Sequence, residues 1–294
     1  MKLPDLYLLI LLVTASLPAH AQLEGMMDVH VHSAPDSMPR SIDAFATARE
    51  AQAAGMRALL FKNHYTQTAG LAYMVSLVVP GIEVYGGIAM NRAVGGLNPV
   101  AIDHMVRTTG NFGRIVWMPT YDSEHYHLTN APNPDHVPIA SRGMLLTETL
   151  AVLDSVAANN LALATGHSSP AESLLLIRAA RERGIERIIV THSAMPLIGM
   201  SVEQEKEAAA MGAFLEYAIG FALNDEQTLR TYIERMREIG VEHVIVSTDL
   251  GQPNNPSHTE GLRRFVAAAT AAGMTQRELD QVLKINPARL LALD

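Results

Sequence analysis

Two histidines close the apolar run Asp28-Val29-His30-Val31-His32. On a strand, residues two apart share a face, so this spacing sets two imidazoles side by side. Neutral imidazole is a ligand for zinc and related cations, and a metal can be held at the end of such a strand once other donors converge there. A His-x-His pair is weak evidence by itself. The argument rests on what ends the later runs. Lys62 and His64 close Ala58–His64, His167 closes Ala164-Thr165-Gly166-His167, His192 closes Val190-Thr191-His192, and Asp249 closes Val246-Ser247-Thr248-Asp249. The sequence has no cysteine, which removes thiolate ligands and disulfides and leaves nitrogen and oxygen to hold any metal.

The elements that must bring these residues together are eight short, continuous apolar runs: Met26–His32, Ala58–His64, Val84–Met90, Arg114–Thr120, Leu161–His167, Arg187–His192, Ala213–Ala218 and His243–Asp249. Such runs suit parallel strands buried on both faces. Helical patterns lie between them. Ser41 and Gly55 bracket the first, Ser169-Pro170-Ala171-Glu172 starts one that Gly184 ends, and Asn224 begins one that Gly240 ends. Ser201–Met211 and Glu260–Ala272 read the same way, and the tail Gln276–Leu293 reads as a helix broken near Pro287. Alternation of this kind predicts a single α/β domain folded as a (β/α)8 TIM barrel, with an open doubly wound sheet as the competing fold. No Gly-x-Gly-x-x-Gly follows the first strand, which disfavours a dinucleotide site. The long non-periodic stretch Tyr121–Gly143 falls after the fourth strand, where a barrel builds binding loops, though a plain solvated loop is equally compatible with its composition.

In a barrel the C-terminal ends of the strands share one rim, so His30, His32, Lys62, His64, His167, His192 and Asp249 are expected to converge. On these positions the chain resembles the amidohydrolase superfamily of metal-dependent hydrolases: His-x-His on strand one, a histidine on each of strands five and six, and an aspartate on strand eight. The tail Asn286-Pro287-Ala288-Arg289-Leu290-Leu291 is similar to that superfamily's C-terminal segment. The resemblance implies one or two divalent cations, zinc foremost. It assigns His30, His32 and Asp249 to the more buried ion. His167 and His192 would hold a second, or His167 would help hold a single one. Asp249 is then also the general base toward an activated water, and the cation polarises the scissile group.

One departure concerns strand four. Two-metal members carry a bridging carboxylated lysine or glutamate there, whereas this strand ends Trp117-Met118-Pro119-Thr120-Tyr121-Asp122, with Asp122 as the nearest substitute. Lys62 on strand two is then carbamylated, paired with a carboxylate, or used on substrate, and is counted with Asp249 as a catalytic candidate. Glu216 on strand seven is its expected partner or a further ligand. His64, Arg92, Tyr121, Asp122 and Glu216 are the expected substrate-side residues, with Arg40, Asn91 and Tyr217 also on the rim. Arg40 and Arg92 suit a carboxylate or phosphate, or simple surface pairing. His104 and His243 fall away from the rim, and His258 follows strand eight closely enough to stay open.

Lys2, the apolar run Leu6–Val13 and Ala19-His20-Ala21 have the layout of a secretory signal peptide over residues 1–21, with the run too short to span a bilayer. This reading predicts a mature domain over 22–294, periplasmic or secreted, with no membrane attachment after cleavage. A net charge of −8 without a basic cluster argues against nucleic acid or an anionic membrane as partner. A small-molecule substrate is expected, and a homo-oligomer is open. The reaction implied is hydrolysis of an amide, lactone or other ester by metal-activated water. A phosphoesterase, a decarboxylase and a metal- or ligand-binding barrel without turnover are the alternatives.

Overall fold

The computed structural model describes residues 23–293 apart from Ala131 and Asn133; the signal-peptide reading of residues 1–21 lies outside the described residues. Eight parallel strands follow one another in sequence order: β1 (Met27–Val31), β2 (Ala58–Phe61), β3 (Glu83–Ala89), β4 (Gly113–Trp117), β5 (Ala162–Ala164), β6 (Ile188–Val190), β7 (Phe214–Ala218) and β8 (Val244–Ser247). The sheet closes on itself between its first and last strands. Val31 forms a parallel bridge with Leu250, Asp249 N donates to His30 O at 3.0 Å, and His32 N donates to Leu250 O at 3.0 Å. That seam excludes the open doubly wound sheet and makes the fold a (β/α)8 barrel.

Alternation along each strand sorts the apolar residues into two layers. Ala58, Leu60, Ile115, Trp117, Ala162, Ala164, Ile189 and Ile245 fill the barrel. Leu59, Phe61, Val116, Leu163, Val190, Leu215 and Val246 face the helices. Strand β1 breaks its alternation. Met27 and Asp28 pair with Ala58 and Leu59, but Val31 is the residue that pairs with Phe61, so Val29 and His30 together oppose Leu60. This bulge is what lets Val29 join the interior layer while His30 also turns inward, toward the Trp117 ring 6.2 Å away.

The helices start where capping residues stand. Asp43, rather than Ser41, caps α1 (Ala44–Ala53) through Ala46 N. Ser169 and Glu172 form a reciprocal capping box with Pro170 at the first position of Pro170–Glu182. Asp225, one residue past Asn224, caps Glu226–Ile239. The tail is interrupted before Pro287, not at it: Gln276–Asp280 and Asn286–Leu291 flank a π-turn over Gln281–Ile285. Proline has no N–H to give the carbonyl four residues back, and the ladder widens there. The stretch after β4 is not a plain loop. It folds into a short helix, Glu124–Thr129, and a small hairpin pairing Ala140–Ser141 with Met144–Leu145. Among the described residues no helix is long and apolar enough to cross a membrane.

Asp28 is buried at the seam. Its Oδ1 accepts from the N–H groups of His30 (3.1 Å) and Thr248 (3.0 Å), and its Oδ2 lies 2.5 Å from Thr248 Oγ1. Burial outweighs these donors and pushes the carboxyl up to about 7. The folded chain therefore keeps a proton that the unfolded chain has lost. The resulting stability is full below the unfolded value of 3.8 and is lost as pH rises through about 7. Asparagine supplies the same acceptor oxygen and an N–H where the protonated acid has O–H. Asp28→Asn, compared with the parent in metal-free form, should gain in denaturant midpoint relative to it steadily from about pH 4 to about pH 7. Parallel pH courses for the two proteins would contradict this account.

Candidate metal centre

The rim donors come from strand ends and from the residues just past them, because the strands stop earlier than the apolar runs do. Two donors, His192 and Asp249, occupy the left-handed backbone region at φ 54° and 52°. Each such L-residue costs on the order of 1–2 kcal/mol, so the surroundings must hold it there. They do: His192 N donates to Glu216 Oε2 at 3.1 Å, and Asp249 N is tied to His30 O across the seam. At the end of β5, Gly166 has φ +65°, and a Cβ there would fall 2.3 Å from Met118 O. Only glycine admits that approach, which lets His167 N donate to Pro119 O at 2.9 Å and sets the His167 ring over the rim.

His30, His32 and Asp249 meet at one point. Asp249 Oδ1 is 3.1 Å from His30 Nε2 and 3.0 Å from His32 Nε2. The other ring nitrogens decide where the protons are. His32 Nδ1 faces the Lys62 carbonyl at 3.0 Å; a carbonyl only accepts, so Nδ1 carries the hydrogen. Arg40 Nη2 lies farther from that nitrogen, at 3.2 Å, and makes its shorter contact, 2.6 Å, to Asp36, so the closer Lys62 carbonyl is the Nδ1 partner. His30 Nδ1 faces the Glu216 carboxylate at 2.8 Å and donates likewise. Both Nε2 atoms are thus lone pairs pointed at a carboxylate oxygen. Around a tetrahedral zinc, with bonds of about 2.0–2.2 Å, neighbouring donors stand roughly 3.3 Å apart, so three acceptors at this spacing suit a divalent cation. Among the described residues His30 Nε2 has no hydrogen-bond partner, as expected of a ligand atom.

Charge supports the same assignment. Burial lowers the His30 and His32 pKa values, that of His32 to about 4, so both rings are neutral and ligand-ready near neutral pH. Burial would raise Asp249, but positive charge on the side of His30, His192 and His32 outweighs it and draws the carboxyl well below its usual range; with the rings neutral, a bound cation would supply that charge. Glu216 is also opposed by burial. His30, His192 and Lys62 outweigh it and bring Glu216 down to about 2. Glu216 accepts from His30, from His192 N and from Ser247 Oγ (2.7 Å), so it orients the ligands from beneath. His192 Nδ1 lies 3.5 Å from Glu216 Oε2 and His192 Nε2 lies 3.7 Å from Asp249 Oδ2, so His30, His192 and Glu216 form a second donor group. We assign the ion to the first group, because in the second His30 would use the nitrogen that already donates to Glu216. Among the described residues the buried ring nitrogens of His167 and Nδ1 of His192 have no hydrogen-bond partner, which suits them as further ligands.

Lys62 projects into the same space. Its side chain is buried, Nζ has no hydrogen-bond partner among the described residues, and the cation lies 5.4 Å from the Trp117 ring centroid. Burial lowers it to about 8, with Asp249 and Glu216 pulling the other way. His64 stacks on His32 at 5.0 Å and meets Tyr121 at 4.3 Å. Tyr121 packs in turn against His167 and Tyr126.

Not every rim expectation is met. Tyr217 points outward to Glu205 at 3.1 Å, since it alternates with the inward Glu216. Glu216 lies under the histidines rather than on the open side. Arg92 is half-exposed and paired with Asp135 at 3.4 Å, and Asp122 is spent on Arg92 N at 2.8 Å. His258 is a buried structural residue bonded to Leu250 O. Sequence reasoning missed Tyr126, whose placement beside His167 depends on the Ser123-capped helix in the loop after β4. Ser123 at that helix start was the available signal.

The fold is a (β/α)8 barrel with histidines and an aspartate gathered at one rim. The chain belongs to the family DUF6282, described as a family of unknown function, whose model matches residues 25–216. That span holds all the donors except Asp249. Among solved structures, an amidohydrolase from Pseudomonas aeruginosa is similar at 13% identity, covering 93% of this chain and 97% of that one, with a TM-score of 0.61. A probable 2-pyrone-4,6-dicarboxylic acid hydrolase from Acinetobacter baumannii is similar at 10% identity, 92% and 100% coverage and a TM-score of 0.62. A 2,6-dihydroxybenzoate decarboxylase from Rhizobium is similar at 13% identity, 92% and 99% coverage and a TM-score of 0.50. These likenesses establish the fold. No curated protein matches the sequence.

Glu216→Gln keeps the volume and removes the charge that fixes His30. It should weaken divalent-metal binding, measured with zinc as the probe ion, by roughly 10–100-fold without unfolding the protein. Competition titration against a chelator, with circular dichroism as the folding check, reads this directly. Unchanged affinity would remove Glu216 from the metal site.

Proposed function

We propose that this protein is a metal-dependent hydrolase that cleaves an amide, lactone or other ester of a small molecule. The observation that carries the reading is the convergence of two unprotonated imidazole nitrogens and Asp249 Oδ1 on one point. A divalent cation bound there, with zinc the leading choice, would polarise the scissile group and acidify water. The chain's own residues supply the rest. Asp249 Oδ2 is the carboxylate oxygen turned away from the His30–His32 pair, and it is placed to take a proton and return it to a leaving group. Lys62 presents a buried positive charge to an oxygen that gains negative charge as the bond breaks. Tyr121 and Tyr126 from the loop after β4 pack beside His167 and would contact a small substrate bound there.

Decarboxylation is the second reading. The feature that favours it is the unpartnered Lys62 cation inside the barrel, which suits a substrate carboxylate, and a decarboxylase stands among the similar folds. The signal-like residues 1–21 favour action in the periplasm or outside the cell. A phosphoesterase or a non-catalytic binding barrel is separated from both by assay.

The test is a panel of lactones, amides, esters, phosphoesters and aromatic carboxylic acids with the zinc-loaded protein and its Asp249→Asn variant. Hydrolysis that falls about 10²–10⁴-fold or more in the variant is the expected result. Carbon dioxide release without hydrolysis would shift the assignment to the second reading, and near-stoichiometric metal with no turnover on any class would favour a binding barrel. We expect about one zinc per chain. A protonated Lys62 within about 4 Å of a second dication would repel it by about 8 kcal/mol at an effective dielectric of 20. Elemental mass spectrometry giving two ions per chain would show that Lys62 is not a cation in the loaded protein.

A further inference from the structure

The hydrogen bonds around His64 fix which of its nitrogens carries the proton. Asn91 and Thr120 are fully buried. Asn91 Oδ1 faces the N–H groups of Thr120 (2.8 Å) and Asp122 (3.3 Å), which only donate, so the amide orientation is settled. Its Nδ2 then donates to the His64 carbonyl at 2.7 Å and to Thr120 Oγ1 at 2.6 Å. Having accepted that bond, the Thr120 hydroxyl has one remaining polar neighbour among the described residues, His64 Nδ1 at 2.8 Å. The hydroxyl hydrogen points there, and Nδ1 accepts. The opposite tautomer would leave that hydrogen without an acceptor in a fully buried place.

The proton of the neutral ring is therefore on Nε2. That nitrogen has no hydrogen-bond partner among the described residues, and His64 keeps a small exposed surface, 4% of the residue. The ring is clamped between His32 and Tyr121, which leaves it no freedom to flip.

Resting on the hydrolase reading above, we propose that His64 is a fixed N–H donor that binds an acceptor oxygen of the substrate, a carbonyl or carboxylate, beside His32. Thr120 and Asn91 are positioning residues that act through it. A donor held in place beforehand needs no reorganisation as charge develops on the oxygen it faces.

Nitrogen-15 histidine NMR on the full zinc-loaded chain tests this, with the His64 signal assigned by its loss in His64→Gln. The parent should show the Nε2–H tautomer, and acetate, used as the oxyanion probe, should shift that N–H resonance. Thr120→Val should give a mixture of tautomers with a smaller acetate response, and Thr120→Ser should restore the parental pattern. An Nδ1–H tautomer in the parent overturns the wiring. An Nε2–H signal indifferent to acetate overturns the substrate contact. If Thr120→Val does not fold, the parent's tautomer and acetate response decide alone. The tautomer is also readable in the metal-free chain, so absence of metal binding and turnover would sink the hydrolase reading separately.

Discussion

Two imidazole lone pairs and a carboxylate oxygen face one another at the rim with no proton to share, and the rest of the site is arranged to keep them so. The Lys62 carbonyl and the Glu216 carboxylate each take the one hydrogen that would otherwise relieve the crowding. Burial prevents the rings from gaining a second. Protonating either imidazole would satisfy the contact, at the cost of a charged ring in a place with little or no exposed surface. A divalent cation satisfies it without that cost, since its charge is shared among several donors.

Barrel closure makes this arrangement reachable. His30 and Asp249 are far apart in sequence, yet the seam between β1 and β8 bonds the backbone of one to the backbone of the other. The seam sets the height of the two donors, and the bulge in β1 sets their direction. Without the extra residue opposite Leu60, strict alternation would send His30 to the face opposite Val29, toward the helices. The same logic explains the left-handed residues. His192 and Asp249 each sit where the chain leaves a strand and turns over the rim, and each has its N–H captured by a group belonging to the site. The strain at those turns is offset by bonds that also orient the donors.

Much of this was legible in the sequence because the barrel repeats one local pattern. Each apolar run ending in a polar residue names both a strand and its position on the rim, and His30, His32, His167, His192 and Asp249 do come together. Less was legible where a side chain's direction depends on geometry that composition does not carry. Glu216 and Tyr217 are adjacent and both polar, and only the pairing register says that one faces the barrel and the other a helix. Arg92 and Asp122 read as substrate residues by type, but a backbone N–H and a neighbouring carboxylate claim them first. The β1 bulge could not be read at all, since a run of mixed Val and His looks the same with or without it.

The absence of a carboxylate at the end of β4 and the presence of Lys62 on β2 belong to one electrostatic arrangement. Beside the His30–His32–Asp249 group, the remaining donors are the neutral rings His167 and His192 and the Glu216 carboxylate, which already accepts from His30, from His192 N and from Ser247. A second dication held there would compete with His30 and Ser247 for Glu216 and would meet the Lys62 ammonium, which burial has weakened but not, at about 8, discharged at neutral pH. On the proposed reading this balance is the reason for expecting a single ion, with Lys62 supplying the positive charge that a second would bring. It leaves His167 and His192 free either to complete the first ion's coordination or to contact substrate. A buried cation without a hydrogen-bond partner among the described residues is costly, and on the proposed reading an anionic group of the substrate would offset that cost.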